Sequence, residues 1–83
     1  MLLTDQVWAM LTCKKCGQKE SHAANNKNTS FPNWGNFSEF EFFAVVATAG
    51  SGREPTVTSA TCSSCGVRAS IEFQHGFDRP EGF

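Results

Sequence analysis

The sequence predicts a small, mainly β domain of antiparallel hairpins around one four-cysteine metal site. Three observations predict it. All four cysteines fall in two like units, Cys13-Lys14-Lys15-Cys16-Gly17 and Cys62-Ser63-Ser64-Cys65-Gly66. The segments leading into and out of these units carry strand-like apolar patterns. A chain of 83 residues is short enough that a single core is marginal, so bound metal or disulfides would add needed stability.

In chain order, residues 6–12 read as a strand running straight into the first unit. Val7, Ala9 and Leu11 would face one way, Trp8 and Met10 the other. Residues 21–36 are polar and hold five Asn, one Pro and one Gly, which is loop chemistry. Within them, residues 31–37 carry Phe31, Trp34 and Phe37 on turn-forming neighbours.

Residues 38–49 pull two ways. Ser38 and Glu41 fit a helix capping box, and Gly50 fits a helix stop. Against that, Glu39-Phe40-Glu41-Phe42 alternates with period two, and the Phe, Val and Thr content favours strand. A strand over 39–49 is the expectation, with Glu39 and Glu41 on its wet face. A flexible connection follows at 50–55, then a strand at 56–61. Residues 67–74 alternate cleanly: Val67, Ala69, Ile71 and Phe73 to one side, Arg68, Ser70, Glu72 and Gln74 to the other. Residues 77–83 have no period and read as a loose tail. The expected organisation is one domain over 1–76 with a long insertion at 21–38, then that tail.

The two cysteine units suit a divalent metal. Zn²⁺ in structural sites is four-coordinate and tetrahedral, and thiolate is a preferred ligand. Two residues between cysteines let a tight turn aim both sulfurs at one ion. The glycine after each second cysteine permits positive φ as the chain leaves the turn, and backbone N–H groups there can donate to sulfur. Cys13, Cys16, Cys62 and Cys65 are therefore the expected ligands of one structural zinc. The motif resembles the zinc-ribbon, or rubredoxin-like, class, in which two such knuckles on β-hairpins clamp one ion. The resemblance covers roughly residues 6–22 and 55–74. It implies zinc-ribbon-like hairpins, and it admits iron, since rubredoxins hold iron in the same ligand set. Rubredoxins typically carry Pro after the third cysteine, where this chain has Ser63, and that favours zinc.

Other chemistries find little support. Four cysteines would close the coordination sphere, whereas catalytic zinc keeps a position open. His22 and His75 are the only histidines and read as exposed loop residues. No nucleophile–base pairing, phosphate loop or paired-carboxylate motif is present, so the chain is not expected to be an enzyme. A thioredoxin-like role for either C-x-x-C lacks its βαβ context. No apolar run approaches a membrane span, and the start of the chain lacks a signal-peptide pattern. A cytoplasmic setting with reduced thiols follows as the expectation.

Charge narrows the partner. The formal net charge is −1, and the basic residues of the first third, Lys14, Lys15, Lys19 and Lys27, are few. The acidic balance disfavours phosphate-backbone binding. The leading expectation is a zinc-stabilised module for protein–protein contacts, with Phe31, Trp34 and Phe37 as the candidate surface, since aromatics anchor interfaces; the other reading folds these three back as a lid on the small sheet. Such a module could regulate or inhibit a larger complex, and the chain's size and self-containment resemble small accessory proteins of phage or mobile elements. A nucleic-acid-binding ribbon using Lys14, Lys15, Lys19 and Lys27 is the alternative, as the zinc-ribbon resemblance implies for transcription or replication, and iron-based electron transfer the third.

Overall fold

A computed structural model describes residues 5–27 and 30–83. The expectation for the start of the chain falls on residues 1–4, and part of the expected loop on 28–29; both lie outside the described residues. The described chain is all β, with five strands: β1 (Gln6–Thr12), β2 (Lys19–Asn25), β3 (Phe43–Ala47), β4 (Val57–Cys62) and β5 (Ser70–His75). β1 is central in a three-stranded antiparallel sheet, order β2-β1-β5, and β3 pairs with β4 in a second sheet.

β1 behaves as its pattern predicts. Val7, Ala9 and Leu11 are buried on the face turned to the second sheet. On its other face Met10 is buried as well. The main core joins Ala9, Leu11 and Cys13 to Phe43, Val57, Ala60 and Cys62. A smaller cluster of Val7, Ala24 and Trp34 sits beside it, and Phe37 packs against both.

β2 corrects the loop expectation for its residues. Lys-Glu-Ser-His-Ala-Ala-Asn has little intrinsic strand preference, yet it pairs with β1 along seven consecutive positions, Gln6 with Asn25 through Thr12 with Lys19. The knuckle turn delivers it there, and hydrogen bonding to an otherwise open strand edge outweighs propensity. His22 and His75 are correspondingly strand residues rather than loop residues.

β3 is shorter than the expected 39–49. Glu39 and Glu41 lie outside the ladder, because the Glu20 carboxylate takes the backbone N–H groups of Glu41 and Phe42 at 2.8 and 2.9 Å. The final strand is divided. Val67 and Ala69 stay with β4, through Cys62 N–H to Val67 C=O at 2.9 Å and Ala69 N–H to Ala60 C=O at 2.9 Å. From Ser70 the chain crosses to β1 as β5. That crossing ties the two sheets together. It also leaves Phe73 substantially exposed near a sheet edge, although its alternation points inward.

The chain reaches the expected tail from Gly76, whose N–H donates to Gln6 C=O at 2.9 Å. Within the tail, Pro80 is buried, and the Lys19 ammonium lies 5.3 Å from the Phe83 ring centroid.

Candidate metal centre

Each knuckle is a turn between a buried strand end and the returning chain, and the two are built alike. Gly17 N–H donates to Cys13 C=O at 2.9 Å, and Gly66 N–H to Cys62 C=O at 2.8 Å. Cys13 N–H reaches Gln18 C=O at 2.8 Å, and Cys62 N–H reaches Val67 C=O at 2.9 Å. Both glycines take positive φ, 79° and 70°, a backbone region that a side chain makes costly. The first cysteine of each pair is buried in the core, while Cys16 is exposed and Cys65 half-buried. The site is thus rooted in the hydrophobic interior and capped at the surface.

The four sulfurs gather at one point. All lie within 4.8 Å of one another, and Cys16 Sγ is 3.8 Å from Cys62 Sγ. A tetrahedral metal with bonds of about 2.3 Å to sulfur places its ligands about 3.8 Å apart, so the cluster fits an ion with little movement. The Cys16 N–H points at Cys13 Sγ, 3.5 Å away, the expected backbone support for a thiolate.

The thiols are electrostatically unequal. The backbone N–H of Cys16 does most to pull Cys13 down to about 6, against the opposing effect of burial and with help from the Lys15 N–H and neighbouring thiols. Cys65 is pushed up to about 12, by its contact with Cys16 first and then by burial and the Cys13 and Cys62 sulfurs. Crowded sulfurs accept one negative charge and resist the next. A cation at their centre removes that resistance, which is why metal binding and thiol ionisation go together.

The aromatic candidates separate. Trp34 is 8% exposed, held by its N–H to Ser51 C=O at 2.7 Å and a bridge to Asn26. It is a core residue, which corrects its expected place at a partner surface: a small domain recruits a Trp inward for its area. Phe37 is half-buried between the two clusters. Phe31 alone of the three projects outward, 78% exposed.

Of the basic candidates, three lie on or beside the first knuckle and one is set apart. Lys14 and Lys15 are exposed on the first knuckle, and Lys19 is engaged with Phe83. Lys27 lies beyond the far end of β2, about 25 Å from Lys19 along an extended chain.

Sequence reasoning missed Glu20. Besides the two backbone N–H groups, its carboxylate meets His22 Nε2 at 2.8 Å, and the His22 ring stands edge-on to Phe40, with centroids 4.7 Å apart. Burial works to raise the Glu20 pKa, but the N–H groups of Glu41 and Phe42, with His22, bring it below its ordinary value. Nothing in its sequence neighbourhood signals this role, because its partners are backbone groups 21 and 22 residues away.

Fold and cluster together define a small antiparallel β domain with a four-cysteine metal-binding site. Comparison with protein-family models, curated proteins and solved structures finds no match. No helix of the described residues is long and apolar enough to cross a membrane.

Proposed function

We propose that this chain is a zinc-stabilised protein-binding module, acting on a larger complex as a regulator or inhibitor rather than as an enzyme. The observation that carries the reading is a division of labour. Both knuckles are spent on one closed cluster of four sulfurs, while a large aromatic residue, Phe31, stands 78% exposed. Four thiolates around zinc leave no position for water or substrate, so the metal's role is structural. An exposed aromatic offers the area that anchors a partner. The net charge of −1, and the separation of Lys27 from the three lysines near the first knuckle, support a protein partner over nucleic acid.

Two measurements test this. Protein purified without added metal should be colourless and hold one zinc per chain; visible thiolate–iron absorption would replace zinc with iron and favour electron transfer. Affinity capture from the native host should retain a partner that Phe31→Ala holds roughly 30-fold less tightly, the effect of losing a hot spot of about 2 kcal/mol, with zinc content unchanged. Capture of nucleic acid instead, released steeply as salt rises, would overturn the protein-binding reading in favour of a phosphate-reading ribbon.

A further inference from the structure

Resting on the protein-binding reading, we infer a second, separate contact: the free edge of β3 accepts an extended peptide of basic character as an added strand. β3 pairs with β4 on one side, and no strand of the described residues pairs with the other. The phase of the ladder can be read from its ends. Ser63 N–H donates to Phe42 C=O at 3.1 Å, and Thr58 Oγ1 donates to Val46 C=O at 3.0 Å. Past the register shift between Val46 and Ala47, Thr48 N–H donates to Thr56 C=O at 2.8 Å. Ala44 and Val46 therefore turn their backbone groups toward β4, as do the C=O of Phe42 and the N–H of Thr48. Phe43, Val45 and Ala47 turn theirs the other way, as alternation in an antiparallel ladder requires.

Phe43, Val45 and Ala47 also line a groove of about 470 Å³, together with residues 36–40. This volume is within the usual range for ligand sites. An unprotected strand edge is a template for pairing, and strand addition draws affinity from the main chain and specificity from alternate side chains.

Charge argues for the occupant. Glu39, which lines the groove, and Glu41, two residues on and outside its lining, are the only charged residues of the stretch 36–49, and both are exposed. Neither is in an ion pair among the described residues. A second copy would bring like charges to the same rim, whereas a peptide with lysines flanking a strand-forming centre would complement it.

The test is fluorescence anisotropy with the labelled peptide KVTVTVK against the metal-loaded protein, alongside EVTVTVE and the proline-broken KVTPTVK. KVTVTVK should bind saturably, and the other two at least about tenfold more weakly, the loss expected for a charge match or a pair of strand hydrogen bonds. Val45→Pro deletes an outward N–H that β4 does not use, a position where an edge strand tolerates proline, and should abolish binding. Should that variant misfold, the double change Glu39→Lys with Glu41→Lys keeps the test alive, since it must shift preference to EVTVTVE. No saturable binding by about 1 mM, equal binding of all three peptides, or an unchanged preference in the double variant would overturn the proposal. So would a dimer in sedimentation equilibrium that Val45→Pro dissolves, because the occupant would then be a second copy. Failure here with successful partner capture would leave the module reading standing on another surface; failure of capture alone would not touch the peptide result.

Discussion

Glu20 shows how one side chain can place a chain segment that propensity alone leaves undecided. Its two oxygens take the N–H groups of Glu41 and Phe42, so the entry to β3 is tied to the strand that follows the first knuckle. Hydrogen bonds to a charged acceptor are worth about 1.5–3 kcal/mol each. Because the folded-state pKa lies below the ordinary value of 4.5, its stabilisation is fully present above that value and disappears as pH falls through the folded pKa. Glu20→Gln should therefore lose about 2 kcal/mol near neutral pH, and the gap between variant and wild type should close in acid. Urea unfolding of both proteins over the same pH series gives the comparison; a gap that stays constant as acid is added would refute this role.

The opposite case is Ser21, whose buried hydroxyl has no hydrogen-bond partner among the described residues. An unsatisfied buried donor costs about 1–3 kcal/mol. Ser21→Ala removes the polar atom and keeps the strand, so denaturant midpoints should stay the same or rise. A marked fall would mean the hydroxyl is bonded in solution.

Among the elements, the segment from Asn33 to Asn36 depends on close backbone contact with Asn25, Asn26 and Gly50 rather than on regular pairing. Asn26 accepts the Asn33 N–H at 2.9 Å through its side chain, Gly35 N–H donates to Asn25 C=O at 2.9 Å, and Trp34 is drawn inward. Gly50 seals this arrangement, with its N–H on Asn36 Oδ1 at 2.7 Å. A Cβ at Gly50 would overlap the Gly35 and Trp34 carbonyl groups, and backbone cannot move aside cheaply. Gly50→Ala should cost about 1–3 kcal/mol, as overpacking does, and Trp34 fluorescence should report a more solvated indole. A fully stable variant would show that the two segments are not in contact. Glycine here serves closeness and not φ, which is why reading it as a helix stop or a flexible linker misjudges it.

For the whole molecule, the metal cluster is where both sheets meet. Cys13 closes β1, Cys62 ends β4, and both lie within the same core as Leu11 and Phe43. Removing the ion would leave crowded thiols at that junction, and in small metal domains binding energy is folding energy. Strong chelation, or Cys62→Ser, should abolish the cooperative thermal transition seen by circular dichroism. A metal-free protein with an unchanged transition would show that the hydrophobic core suffices alone.

The sequence by itself marked the four cysteines that come together, the mainly β class and the inward face of β1, because these depend on short-range spacing: two residues between cysteines, a glycine after each pair, alternation in one strand. It also marked β4 and much of β5 to within a few residues. Only the tertiary structure decided that Lys19–Asn25 is a strand, that Trp34 belongs to the core while Phe31 does not, and that 67–75 is shared between two sheets. Each of those outcomes turns on partners far away in the chain. β2 needs the open edge of β1, Trp34 needs the gap beside Val7 and Ala24, and the division after Ala69 needs β1 to stand next to β4. Competition for such non-local partners leaves no mark on local composition, so the same residues would read as loop, contact surface or single strand until the chain is folded.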